Sequence, residues 1–578
     1  VNRFSNRWNI DPWLLAVIAL ALLVNAFHLQ WGLPNGSKSW AADAVSPLTV
    51  LSIAKQSFSE WNSGWFYFKY PLGFPLVLLA AFSPYLAFLM LTGQLASPSA
   101  TYPYGFADPE ASLYVMALIG RAVNVAFVIA TAILTYDIGR RLFSRNAGRL
   151  AALFVVTLYP IIYYAHTTNL YLASLCWLTL ALWGTVVATE TQQRRYYVIL
   201  GFAAAMAVST KEQDVPFLLP LPFILAYYIY RTLPADLGVA RRSWRAVWNP
   251  NTRVALYSSV LTAAFFNNAF FNPSGALNRI LNLAGYPIEG VTSRLTPVEF
   301  ALFKGFSKEL MYFGHLLDRS ESMFGLGLIL FVVAGLIYVV RYHPRAAVFI
   351  LAPAAAYYFF ALRTHATQIA LRYVVPFGVT GALLAAALCA VLLTGKRRRY
   401  AVPLVAWLCV LSVLRAGELN VLLYHDSRYQ AEEWIQANVE RSRRVEVFQN
   451  DTYLPRLPGY SVQRPPLAER TIAGVMERKP DVIIVSSAAK MGVTHRWNPN
   501  WREGNTLVLE EPGAGEFLAA LEAERLPYRR VAQFSQSPIL IRSLVTSLFP
   551  EITVFEHTPA AEPLTHDVDM SAGGERAA

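Results

Sequence analysis

The chain has 578 residues, 55% of them hydrophobic and only 15% charged, with a formal net charge of +12. Ordinary soluble domains carry about 25% charged residues, so this composition excludes a soluble protein over most of the length. The basic excess sits in short loops between apolar runs, with no basic stripe interleaved with aromatics; this excludes nucleic acid as a partner and points to orientation in a bilayer.

The elements follow in chain order. Arg3 and Arg7 precede an apolar stretch over 12–30 that no small-residue cleavage site follows, and it is expected to remain as a first, uncleaved span. Further apolar runs cover 71–92, 111–137, 147–164, 170–189, 196–210, 215–230, 253–271, 322–340, 345–361, 372–394 and 400–418. Spanning a bilayer takes about 20 apolar residues, so there are twelve candidates.

Loop charge selects among the arrangements. If 71–92 lies along the outer surface rather than crossing, 19 basic residues fall in the cytoplasmic segments, among them Arg140, Arg141, Arg145, Arg149 and Lys396 to Arg399. The longer outer loops then carry 11. If 71–92 crosses, the Arg-rich turns face outward, against the positive-inside rule. The expected architecture is therefore a polytopic α-helical membrane protein of about eleven transmembrane helices with outer-face juxtamembrane helices. Its N-terminus is cytoplasmic and its C-terminal domain extracytoplasmic. The membrane part is expected over 1–418, a small α/β domain over 419–560 and a disordered tail over 561–578. Cys176, Cys389 and Cys409 all fall in apolar runs, in neither a metal-ligand nor a disulfide spacing.

Two outer loops, 31–110 and 272–321, are long enough to carry function. The first reads WGLPNGSKSWAADAVSPLTVLSIAKQSF and then FYFKYPLGFPLVLL. A carboxylate close to a bilayer is costly unless it has a task or a partner, which singles out Asp43. Asp43 also reads as a helix N-cap, given Ala-Val-Ser-Pro behind it. Lys69 and Tyr70 precede the apolar helix. His166 and Asn169 sit in a later outer turn, with Lys211 and Arg372 beyond. Each cation has a plainer reading: Lys69 snorkelling, Lys211 pairing with Glu212 or Asp214, Arg372 anchoring its span. Lys304 and Lys308 are weaker candidates.

The order of these motifs resembles bacterial GT-C glycosyltransferases of the protein O-mannosyltransferase and aminoarabinose-transferase superfamily. The residues that carry the likeness are Gly32-Leu33-Pro34, Asp43-Ala44, Tyr70-Pro71, Arg121 to Asn124, Asp137 to Phe143, Tyr159-Pro160 through Asn169, Ser209-Thr210-Lys211, and Arg372-Tyr373 with Pro376. The likeness implies a GT-C fold in a bacterial-type inner membrane and a polyprenyl-phosphate-linked sugar as donor. The acceptor would be an extracytoplasmic protein, glycolipid or envelope glycan. Asp43 would be the general base. Lys69, Lys211 and Arg372 would hold the donor phosphate, and Tyr70, His166 and Asn169 would line the sugar or acceptor pocket. The sequence departs from the family at Ala44 and Asn169, where acidic residues are usual. A divalent metal wants several oxygen ligands, so no metal and no cofactor are expected.

Two other classes compete. A transporter needs charges or broken helices near the midplane, often in two related halves; here the charges lie at loop edges. A non-catalytic assembly protein fits the loss of acids at Ala44 and Asn169.

Overall fold

The computed structural model describes residues 11–33, 40–41, 44–58, 71–284, 286, 288, 305–363, 371–396, 398–449, 451–488, 512–543 and 548–558. They form two compact units. One comprises Val1–Asp426 with Ser537–Leu548, the other Ser427–Gln536 with Phe549–Ala578.

The first unit is helical. In order it contains α1 (Pro12–Ala26), α2 (Pro47–Phe58), α3 (Gly73–Leu91), α4 (Pro109–Leu142), α5 (Arg145–Val156), α6 (Tyr159–Ala165), α7 (Tyr171–Thr191), α8 (Arg194–Thr210) and α9 (Val215–Leu218). It continues with α10 (Pro220–Thr232), α11 (Val239–Val247), α12 (Pro250–Phe266), α13 (Pro273–Leu283), α14 (Phe306–Tyr342), α15 (Pro344–Tyr357), α16 (Leu371–Val374), α17 (Pro376–Thr394) and α18 (Arg398–Tyr424). The chain marks several starts with one local device, an Asp or Asn followed by Pro. Asp11, Asp108, Asn249 and Asn272 each accept a hydrogen bond from a first-turn backbone N–H, and proline takes the next position. There its missing N–H costs nothing.

All twelve apolar runs of the sequence fall on these helices. Among the described residues, eight helices are long and apolar enough to cross a membrane, or nine if α5 and α6, bent by 56° at their junction, count as one span. Helix α3, expected along the surface, is one of the eight. Helices α1, α8 and α12 are shorter, at 15, 17 and 17 residues. Length and composition therefore do not by themselves separate spans from surface helices. Helix α14 is broken at Gly325, whose φ of 75° suits glycine alone, and the Arg415 guanidinium packs into the space a side chain there would fill.

Close approach of backbones sets the helix packing. A Cβ on Gly139 would lie 2.8 Å from the Gly148 Cα, which locks α4 to α5. Small residues permit such contacts where lipid offers no hydrophobic drive for helix association.

The second unit is a small α/β fold. Its strands are β1 (Arg444–Val447), β2 (Ser461–Gln463), β3 (Val482–Ser486), β4 (Tyr528–Phe534) and β5 (Ile552–His557), in the order β2-β1-β3-β5-β4. The first three are parallel, while β5 runs antiparallel to β3 and β4. Alternation along β3 builds two cores. Val482 and Ile484 pack with Ala431 and Ile435 of α19 (Ser427–Asn438). Ile483 and Val485 pack with Val475 of α20 (Ile472–Arg478) and Phe517 of α21 (Pro512–Glu522). Helices on both faces of a sheet with parallel strands are what such burial requires.

Candidate functional site

The motifs quoted from the sequence converge beside the N-terminal half of α4. Asn124 of α4 donates its side-chain N–H groups to the carbonyls of Tyr164, Thr167 and Asn169, at 3.3, 2.7 and 2.9 Å. Arg121, one turn earlier, is buried and donates to the carbonyls of Leu29 and Trp31 at 2.5 and 2.7 Å. The chain after α1 and the turn after α6 are thus both fixed on α4. Gly120 lets Thr168 approach, since a Cβ there would sit 2.7 Å from the Thr168 Cγ2.

His166 and Asn169 belong to this turn, and both are buried. The His166 ring nitrogens lie 2.8 Å from the Ile162 carbonyl and 2.6 Å from the Phe27 carbonyl. The Asn169 Oδ1 accepts from the Tyr171 N–H at 3.2 Å at the start of α7. The geometry of both side chains is that of supports for the turn.

Lys211 caps α8 at its C-terminus. Its ammonium lies over the rings of Tyr171 and Tyr373, 5.1 and 5.4 Å from their centres, and 4.0 Å from the Asp214 carboxylate. Burial pulls its pKa below the ordinary 10.5, with Asp214 opposing the fall and Arg372 adding to it. Arg372 lies over the same ring, 5.2 Å from the Tyr373 centre, and its guanidinium is 3.5 Å from the Tyr373 hydroxyl. Asp214 is fully buried and accepts a hydrogen bond from Ser174 of α7. The structure therefore brings two of the three expected cations, Lys211 and Arg372, onto one tyrosine.

Asp43, Lys69 and Tyr70 lie outside the described residues, as does Lys304, but their chain neighbours are informative. Val45 donates its N–H to the Thr168 carbonyl at 2.7 Å. Ser46 is the residue that caps α2, its Oγ accepting from the Thr49 N–H at 3.2 Å. The capping role that the sequence allows for Asp43 is thus filled three residues later. Downstream of Lys69 and Tyr70, Gly73 abuts the turn that carries Lys211, where a Cβ would lie 2.4 Å from the Ser209 carbonyl. Asn267 donates to the Ser209 Oγ at 2.9 Å, and Asn268 to the Ser57 carbonyl at 3.3 Å. Two further acids are paired: Glu212 with Arg279, and Glu309 with Arg363 at 2.5 Å. Among the described residues no three His, Cys, Asp or Glu side chains gather as a metal would need.

Sequence reasoning weighed Asp214 only as a partner for Lys211, and passed over Tyr164, Tyr171, Ser174 and Tyr357. The spacing from Lys211 to Asp214 across one turn was the available signal. The tyrosines had none, because aromatic residues are frequent throughout a membrane chain.

The C-terminal end of α4, about 20 Å from Asn124 at 1.5 Å per residue, is organised around arginine. Asp11 accepts from Arg145, Arg149 and the Tyr136 hydroxyl, each at 2.9 Å. Asp137 accepts from Arg140, from Arg141 and from the Trp183 indole at 2.8 Å. Glu190 takes Arg141 and Arg345.

The helical unit thus carries a buried Lys211 and a half-buried Arg372 on one tyrosine ring. Residues 115–235, which include Lys211 and Asp214, match the family described as dolichyl-phosphate-mannose-protein mannosyltransferase. The match supports a GT-C glycosyltransferase of the protein O-mannosyltransferase and aminoarabinose-transferase superfamily, in line with the resemblance read from the sequence. Solved structures with a similar course of chain include the Archaeoglobus fulgidus oligosaccharyltransferase in complex with zinc and sulfate, at 11% identity over 94% of this chain and 88% of that one, with a TM-score of 0.44. Another is ArnT from Cupriavidus metallidurans bound to undecaprenyl phosphate, at 14% identity over 94% and 98%, with a TM-score of 0.40. No curated protein sequence matches the chain.

Proposed function

We propose that the chain transfers a sugar from a polyprenyl-phosphate donor to an extracytoplasmic acceptor, with inversion at the anomeric carbon. The observation that carries this reading is the pairing of Lys211 and Arg372 on Tyr373, at the end where the Asp43 loop is tied down through Val45. A lipid phosphate gains charge as it leaves, and fixed cations beside it lower the barrier. Lys211 supplies a point charge and Arg372 a guanidinium able to grip two phosphate oxygens; Lys69 would complete the group.

The acceptor hydroxyl oxygen attacks the anomeric carbon, and its proton passes to the Asp43 carboxylate. The bond from that carbon to the phosphate oxygen breaks, and its electron pair stays on the polyprenyl phosphate. His166 and Asn169 hold the turn that anchors Val45, and so act on Asp43 through the backbone.

The orientation follows from charge. The arginine-rich end, with Arg140, Arg141, Arg145, Arg149 and Arg345, faces the cytoplasm under the positive-inside rule, so Lys211 and Arg372 are extracytoplasmic. The likeness to bacterial members supports an inner membrane.

The deciding experiment is transfer in reconstituted membranes from undecaprenyl-phosphate sugars to envelope acceptors, with mass spectrometry of the products. Transfer that depends on Lys211 and Arg372 supports the reading. A protein that uses no lipid-linked sugar, while its loss leaves every envelope glycan unchanged, fits the assembly role instead.

A further inference from the structure

Beside Lys211, two deeply buried oxygens have no partner within hydrogen-bond distance, the first of them facing the Lys211 ammonium at 4.0 Å. They are the Asp214 Oδ1 and the Tyr357 hydroxyl, on side chains 0% and 1% exposed. The Thr210 Oγ1, adjacent in the chain to Lys211, is a third. Burying polar atoms without partners is costly, and such groups in a native protein call for an explanation.

The surroundings narrow the choice of ligand. Asp214, Tyr373 and Tyr171 are the ionisable neighbours of Tyr357. The Tyr357 ring is held by Phe217 and Phe377, with centroids 6.5 and 5.8 Å away, so its hydroxyl has a fixed position. Ser174 occupies the other oxygen of Asp214 and fixes that carboxylate. Tyr171 and Tyr373 present ring faces to Lys211. The cluster offers one acceptor that only a donor can satisfy, one hydroxyl that can donate, and aromatic walls. A phosphate would be repelled by the Asp214 carboxylate. A carbohydrate hydroxyl gives its proton to the carboxylate and takes one from the phenol, while its C–H faces lie on aromatic rings.

We propose that the Asp214 Oδ1 and the Tyr357 hydroxyl form a subsite for a hydroxyl of the transferred sugar, alongside the phosphate positions of Lys211 and Arg372. This rests on the glycosyl-transfer reading above and adds a division of labour within the site. The cations hold the phosphate, which every donor shares. Asp214 and Tyr357 read the sugar, which distinguishes donors.

The test compares two probes on the full chain in nanodiscs: undecaprenyl phosphate without sugar, and undecaprenyl phosphate carrying each of a panel of pentoses and hexoses. Asp214→Asn and Tyr357→Phe are each expected to weaken the best glycosylated probe about tenfold, the scale of one hydrogen bond to a charged group, and to leave the bare carrier within about twofold. Lys211→Ala should weaken both probes. Tyr357→Phe removes one oxygen and keeps the ring, so it retains the fold even if Asp214→Asn does not. Equal loss on both probes, or no loss on either, overturns the subsite and leaves the donor reading standing. Wild-type protein that binds neither probe overturns both.

Discussion

Val45 donates its backbone N–H to the carbonyl of Thr168 at 2.7 Å, joining the loop that follows the first helix to the turn between α6 and α7. Asn124 holds the same turn through three carbonyls, so Val45 is fixed relative to α4. Asp43 stands two residues before this tie.

The first prediction concerns Asp43. Asp43→Asn keeps the size of the side chain but cannot take a proton. Losing a general base costs about 10²–10⁴-fold in rate. The variant should insert normally, bind donor as well as the wild type and transfer sugar that much more slowly. Because Ser46 caps α2, the thermal melting temperature should not move. A lowered melting temperature with intact turnover would sink the assignment.

The cations come second. Lys211→Ala and Arg372→Ala should each lower kcat/KM for the lipid-linked donor by more than tenfold, the scale of one lost charge-assisted contact to phosphate. Arg372→Lys should recover only part of the loss, since an ammonium cannot grip two oxygens. Normal donor kinetics in both alanine variants would refute the phosphate clamp.

A third prediction uses the contact between Gly73 and Ser209. In Gly73→Ala the new methyl would meet the Ser209 carbonyl at 2.4 Å, and backbone must move. The cost should be about 1–3 kcal/mol in stability, accompanied by weaker donor use, because the displaced turn carries Lys211. Gly314→Ala, on an open face of α14 with nothing within 4 Å, is the control. It should be neutral or stabilising by about 0.5–1 kcal/mol. Thermal melts of the two variants side by side decide the matter.

Fourth, Asp11 links stability to pH. Hydrogen bonds from Arg149, and then from Arg145, hold its carboxyl well below the ordinary 3.8 against the opposing effect of burial. A depressed carboxylate contributes stability that is complete above its unfolded value and drains away as pH falls through the folded one. The wild type should therefore exceed Asp11→Asn by about 1–3 kcal/mol at neutral pH, and the gap should begin to close below about pH 4. A gap that stays constant from pH 7 to pH 3 would contradict the linkage.

Orientation gives the fifth. Ser97 and Ser144 are both exposed. In single-cysteine variants, Ser97→Cys should react with a membrane-impermeant maleimide added outside and Ser144→Cys should not. The three native cysteines are replaced in these variants, Cys409 above all, since it is half-buried whereas Cys176 and Cys389 are buried. The reverse pattern would invert the topology and put Lys211 and Arg372 in the cytoplasm.

What the sequence determined by itself was what is local or additive. Apolar runs long enough for a bilayer became helices because, away from water, the backbone can satisfy its own polar groups only along such an element or in a closed barrel. The Asp-Pro and Asn-Pro pairs marked helix starts because capping needs only neighbouring residues. The order of short motifs pointed to a superfamily that the family match over residues 115–235 supports. Tertiary structure alone decided which polar residues meet. Nothing in the chain near Lys211 announces that Arg372 shares its tyrosine, or that Tyr357 comes beside Asp214. Nor does the sequence reveal that both His166 ring nitrogens lie against carbonyls, or that Ser46 caps α2. Charge and hydropathy patterns report the solvent each segment prefers. Which side chains face one another depends on how closely helices approach, and that is set by contacts such as Gly73 on Ser209 and Gly139 on Gly148, far apart along the chain or hidden among many glycines.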